Sequence, residues 1–127
     1  MPVQFQQVWG YQGDAMALPV ADVNQAVPFY ERVLGFQVVS RAEGPRSVVL
    51  SREGIQIGMV ENGGDPTQDG CAFHVNDVES LFAEFKANGL DQEQPTFDIE
   101  RRNDGSVWKV FYIVAPDGLC YWFGERQ

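Results

Sequence analysis

Apolar positions in this chain alternate by twos, then recur by threes and fours, then alternate again, and this succession of periods occurs twice. In residues 15–20, Met16, Leu18 and Val20 share one face while Ala15, Ala17 and Pro19 share the other, as in a half-buried strand. Asp22 then stands as a helix cap with Gln25 three places on, a capping-box spacing. Val23, Ala26, Val27, Tyr30, Val33 and Leu34 form the apolar stripe of the helix, Pro28 interrupts its early turns, and Gly35 ends it. Strands are expected at residues 36–41, 47–51 and 55–61, with Glu43-Gly44-Pro45 and Arg52-Glu53-Gly54 as the turns between them.

The second half repeats the order. Residues 71–75 read as a strand, Asp77 as a cap, Leu81, Phe82 and Phe85 as a helical stripe, and Gly89 as a stop. A polar stretch containing Pro95 leads to an expected strand over residues 96–101, and Asn103-Asp104-Gly105 makes a turn. Residues 107–114 and 119–124 complete the set around Ala115-Pro116-Asp117-Gly118. Sliding the chain by 55 residues brings Ala17 onto Ala72, Val20 onto Val75, Asp22 onto Asp77 and Val23 onto Val78. Sliding it by 64 brings Gly54 onto Gly118, Ile57 onto Tyr121, Met59 onto Phe123 and Glu61 onto Glu125. Two copies are too few for a solenoid. The expectation is one α+β domain of two βαβββ modules over residues 15–61 and 70–125, with a linker at 62–69 and an N-terminal arm at 1–14. In that arm Val3, Phe5 and Trp9 alternate weakly, so a short strand or an extended segment packed on the body is expected. One helix covers one face of a sheet, so the open faces of the modules must pair with each other into a cleft, or with another chain.

Composition narrows the partners. The 127 residues carry 18 acidic and 9 basic side chains, a net charge of −9. That balance argues against nucleic-acid backbones and anionic membranes, and it favours cationic partners or simply solubility. No apolar run approaches the roughly 20 residues that span a bilayer, and the chain opens on no leader pattern, so a cytoplasmic protein is expected. Cys71 and Cys120 form no CxxC pair, and neither a disulfide framework nor a zinc site follows from them.

Three stretches resemble the vicinal oxygen chelate superfamily, which includes glyoxalase I, extradiol dioxygenases, and fosfomycin- and bleomycin-resistance proteins: VADVNQAVPFYERVLGFQV, AFHVNDVESLFAEFKANG and FYIVAPDG. The resemblance implies curved sheets enclosing a cavity, and in many members a homodimer with the cavity at the subunit contact. It also implies four metal-ligand positions, which map here onto Ala15, Gly58, Gly70 and Trp122. None has a side chain that binds a cation, so no metal or other cofactor is expected. Among such relatives the bleomycin-resistance type sequesters a drug without transforming it.

The candidate ligand-binding residues follow from alternation. Residues 70, 72 and 74 point away from the helix, which places His74, the one histidine, toward the cleft as a rim residue or an acid–base group. Trp122 is either a stacking platform for a planar ligand or packing in the volume a metal would occupy. Trp108 and Tyr112 share a face that either extends this aromatic wall or packs beneath the second helix. Gln56, beside Gly58, offers an amide, whereas Lys109, Arg101 and Arg102 are expected on the solvent side. Cys120 has nothing basic beside it in sequence and reads as an inert thiol. Three functions remain: sequestration of a planar or cationic small molecule, a metal-independent enzyme using His74, or a filled cleft that serves association alone.

Overall fold

A computed structural model of the chain describes residues 3–11, 14–92 and 97–127. The elements run β1 (Phe5–Gly10), β2 (Leu18–Pro19), α1 (Val23–Arg32), β3 (Gln37–Ala42), β4 (Ser47–Arg52), β5 (Ile55–Val60), β6 (Gly70–Val75), α2 (Val78–Ala87), β7 (Asp98–Arg101), β8 (Val107–Val114) and β9 (Cys120–Arg126). A short 3-10 turn, Pro66–Gln68, lies within the segment that joins the modules. The first sheet has the order β2-β5-β4-β3 and the second β1-β6-β9-β8-β7. Within each module the first strand runs parallel to the last, β2 to β5 and β6 to β9, so the two copies share one topology.

The repeat is chemical as well as topological. Asp22 caps α1 by accepting from the Gln25 N–H at 3.2 Å, and Asp77 caps α2 by accepting from the Ser80 N–H at 3.0 Å. The paired glutamates at the strand ends do matching work. Glu61 accepts from the Val23 N–H at 2.9 Å and Glu125 from the Val78 N–H at 3.1 Å. Each satisfies an otherwise orphaned first-turn donor and places negative charge at a helix N-terminus. The Glu53-Gly54 turn has positive φ at both residues, 54° and 81°, as a two-residue type I′ hairpin requires.

The structure sharpens one expectation and changes others. The arm is a full edge strand: β1 pairs antiparallel with β6 of the second module, and Phe5 reaches the core against Phe36, Phe73 and Phe123. The first strand of module one shrinks to two residues, because residues 14–17 turn instead, with the Ala17 N–H on the Asp14 carbonyl at 3.0 Å and the Met16 N–H on the Asp14 carboxylate at 2.8 Å. Met16 is therefore exposed and not on the buried face. Val33 and Leu34 are buried as expected, but they follow the end of α1. Lys109 lies on the helix side of β8, 3.0 Å from Glu79 of α2 and over the Phe97 ring. The expected strand from residue 96 begins at Asp98; Thr96 and Pro95 lie outside the described residues.

Both helices and the helix-side faces of both sheets share one core, built on buried aromatics such as Tyr30, Phe36, Phe73, Phe85, Phe111, Tyr121 and Phe123. Phe123 stacks between Phe73 and Phe111, at 5.3 and 5.0 Å between ring centroids. Polar clamps join the modules at the margins of this core. Arg52 makes a two-pronged bond to Glu84 at 2.7 and 2.9 Å, donates to the Leu34 carbonyl, and sits 4.6 Å over Phe5. Tyr30 of α1 donates to Asp117 at 2.8 Å, so its own oxygen is left to accept from buried Tyr121 of β9.

Burial raises the Asp117 pKa, while the bonds from the Leu119 N–H and Tyr30 pull the other way without cancelling it. A raised folded-state value means that stability is fully present below the usual carboxylate pKa, near 4, and is lost as pH rises through the folded value. Unfolding free energies of the parent and Asp117→Asn, compared from pH 4 to 7, are expected to shift in favour of the variant as pH rises. A constant difference across that range would show that Asp117 ionises as freely as in the unfolded chain.

Candidate functional site

The face of the second sheet turned away from the helices carries most of the chain's uncommitted aromatic surface. Register fixes its membership. Trp9 of β1 pairs with Ala72 of β6, Ala72 with Trp122 of β9, and Trp122 with Tyr112 of β8. Trp108 of β8 pairs with Glu100 of β7, and His74 of β6 with Gly124 of β9. Alternation on each strand brings these side chains out on one side. The second of the two readings of Trp108 and Tyr112, packing beneath α2, does not hold; they extend the aromatic wall. Trp9, Tyr11, Tyr112 and Val114 remain exposed on this side of a single chain.

Within the wall Trp108 is the hub. It meets Trp122 at 5.5 Å, Trp9 edge-on at 6.2 Å and His74 edge-on at 4.7 Å. Its Nε1 donates to Ser106 Oγ at 2.8 Å, and Ser106 in turn donates to Asp104. Trp122 lies along the sheet over Gly124, where a Cβ would come within 2.1 Å of the indole ring. Only glycine leaves room for the ring there. Trp108, Trp122, Val110 and Ala72 form a second buried cluster, separate from the main core.

At the β7 edge of this apolar surface sits a half-buried carboxylate. Glu100 accepts from Trp122 Nε1 at 3.2 Å through one oxygen and from the Tyr112 hydroxyl through the other. Burial and this bond push the Tyr112 pKa up to about 12. The His74 pKa is lowered, first by burial and then by the nearby Arg126 charge, which leaves the imidazole neutral at pH 7. Arg102 is exposed, as expected, and from the solvent side it holds its guanidinium 5.4 Å over the Trp122 ring. Glu100 and Trp9 escaped the sequence reading, although one signal for Glu100 was present. The alternating run 98–101 faces 107–110 across the Asn103-Asp104-Gly105 turn, and that pairing sets Glu100 opposite Trp108.

The four positions that the resemblance marks as metal ligands divide between the two modules. Ala15 and Gly58 adjoin in module one, where the Gly58 N–H donates to the Ala15 carbonyl at 2.9 Å. Gly70 and Trp122 lie on neighbouring strands of module two. These residues do not fit a metal. None supplies a side-chain donor, and among the described residues no three His, Cys, Asp or Glu side chains converge. The glycines are also sterically committed, since a Cβ on Gly58 would fall 2.2 Å from the Met16 carbonyl oxygen and one on Gly70 1.8 Å from that of Cys120. Gln56, exposed on β5, belongs to the first sheet, so the tryptophan-bearing face does not include it.

A hollow of about 260 Å³ opens elsewhere, between the start of α1 and the turn at 115–118. Its carboxylates, Asp22 and Asp117, are already engaged in helix capping and the tyrosine bond. The aromatic face, with exposed rings and a carboxylate bonded to two of its side chains, is the stronger candidate.

Residues 13–102 match the family model described as Glyoxalase/Bleomycin resistance protein/Dioxygenase superfamily. The chain belongs to this superfamily. Solved structures with the same fold include a bleomycin resistance determinant encoded on the transposon Tn5, with 24% identity and a TM-score of 0.64 over 87% of this chain and 94% of that one. A bleomycin-binding protein complexed with bleomycin follows with 24% identity and a TM-score of 0.63 over 87% and 95%. A lactoylglutathione lyase from Agrobacterium tumefaciens shows 22% identity and a TM-score of 0.58 over 86% and 89%. No curated protein matches. The superfamily's topology is the one seen here, two copies of strand, helix and three strands in two curved mixed sheets. No helix among the described residues is long and apolar enough to cross a membrane.

Proposed function

We propose that the chain is a metal-independent small-molecule-binding protein that sequesters a planar, cationic ligand on the aromatic face of its second sheet. The observation that carries this reading is Glu100, a carboxylate set among Trp122, Tyr112 and Trp108. An aromatic wall favours a flat ligand, and a carboxylate bonded within it favours positive charge. The net charge of −9 adds long-range attraction of the same sign. The donor-poor set Ala15, Gly58, Gly70 and Trp122 supports metal independence, and the similar bleomycin-binding protein, solved in complex with bleomycin, supports a small-molecule-binding role. The working form in this reading is a homodimer in which Gln56 and the first sheet of one copy complete the face of another. The free thiols of Cys71 and Cys120 agree with a reducing cytoplasm. The enzymatic alternative finds less support, since the neutral His74 ring abuts Trp108 and not a nucleophile.

Titration with ethidium, a flat organic cation, and with its uncharged relative phenanthridine tests the reading. Ethidium is expected to quench tryptophan emission saturably. Glu100→Gln is expected to weaken ethidium about tenfold while leaving phenanthridine nearly unchanged, the loss of one charge-assisted contact. Equal weakening of both probes, or none, would remove the cationic specificity. Sedimentation showing only the 14.2 kDa chain would remove the homodimer.

A further inference from the structure

Trp122 is only 4% exposed although it stands on an uncovered face. Part of its surface is taken by Trp108 and by the backbone at Gly124. Part is taken by Arg102, whose guanidinium carbon lies 5.4 Å over the ring. The same indole donates its N–H to Glu100. The ring therefore has a cation over it and an anion at its edge, and both charges come from one short stretch of chain. This is the environment that a flat organic cation would seek, already filled from within.

We infer that Arg102 is an internal stand-in for the ligand's positive charge, occupying the cation–π position on Trp122 until an incoming planar cation displaces it. The inference rests on the binding role proposed above and names the residue that sets affinity at that site. The backbone of Arg102 is fixed, with its N–H on the Ser106 carbonyl at 2.9 Å and its carbonyl accepting from Gly105 at 3.0 Å. Its side chain is exposed, and among the described residues it lies in no ion pair within 4.0 Å. Displacement therefore requires only rotation of a long side chain into water, with the turn intact. Other charges border the site. Arg126 pairs with Trp108 in the register, Asp98 with Val110, and Asp104 closes the turn. Arg102 is distinguished from these by its position over Trp122.

The experiment compares the parent, Arg102→Ala and Arg102→Lys, first without ligand and then with ethidium. Acrylamide quenching in a Trp9→Phe background reads how open the remaining indoles are. Arg102→Ala is expected to quench measurably more than the parent. Ethidium is expected to bind Arg102→Ala about three- to tenfold more tightly, from the loss of an exposed cation–π competitor and of its repulsion for the probe. Arg102→Lys, which keeps a charge on a flexible stem, is expected to fall nearer the parent. Parent-like quenching, or unchanged or weaker ethidium binding by Arg102→Ala, would overturn the inference even if the parent binds ethidium well. Failure of both parent and variant to bind ethidium would overturn the binding role itself, while the quenching result would still report whether Arg102 covers the ring.

Discussion

Gly70→His, which puts an imidazole at one of the four positions that the resemblance marks as metal ligands, is expected to destabilise this protein by about 3–5 kcal/mol and to create no metal site. A Cβ at residue 70 would lie 1.8 Å from the Cys120 carbonyl oxygen, a distance only backbone movement can relieve. That movement is opposed on both sides. The Gly70 carbonyl accepts from the Tyr11 N–H at 3.0 Å, and the Cys120 N–H is held by the Asp69 carbonyl at 3.2 Å. Gly70 also has φ +155°, which an L side chain rarely adopts. Overpacking and backbone strain of this kind cost about 1–3 kcal/mol each, a large share of a typical domain's stability. Denaturant melts of Gly70→His and Gly70→Ala, with zinc and nickel titrations of any folded fraction, check the claim. A variant as stable as the parent, or one that gained a stoichiometric metal, would show that the strands part more easily than their bonding suggests.

The legibility of this chain follows how local each determinant is. Asp22 and Asp77 read as caps because capping depends on a residue and its neighbours three places on, and both act as caps. The face carrying Trp108, Tyr112, His74 and Trp122 follows from alternation, which holds wherever a strand is long and unbroken. Alternation misled at residues 15–17, where the Asp14 side chain offers the backbone a competing local bond and a turn forms. The edge position of β1 was not readable, because strand order is a long-range property and β1 has no counterpart in the other module. Lys109 shares the helix-side face of β8 with Phe111, and its long aliphatic stem carries the ammonium past the core to Glu79, which its charge alone does not foretell. Glu100 is hard to place from sequence because its strand is only four residues long and Ile99 is its one apolar residue, so its face is clear only from the hairpin register.

Trp122→Ala is expected to act mainly on folding, lowering the unfolding free energy by about 3–5 kcal/mol. The ring is almost fully covered, packs with Trp108, Val110 and Ala72, and is matched to the space over Gly124. Truncation would open a cavity over that glycine and leave Glu100 without one of its two donors. Both losses belong to the unliganded protein, so a titration of the alanine variant alone would confuse collapse with lost binding. Trp122→Phe separates the two. It retains an aromatic ring in the cluster and removes the Nε1–H bond to Glu100, so the fold is expected to survive with a smaller loss, about 1–2 kcal/mol. Its ethidium affinity is expected to drop severalfold, since phenylalanine gives a weaker cation–π surface than tryptophan. Trp108 and Trp9 also emit and lie on the same face, so binding to the variant is followed by ethidium's own fluorescence. A stable Trp122→Ala protein with weakened ethidium binding would show an indole that serves the ligand and hardly the fold. An unstable one beside a Trp122→Phe protein that binds like its parent would place Trp122 in the packing and leave Glu100, Tyr112 and Trp108 to hold the ligand.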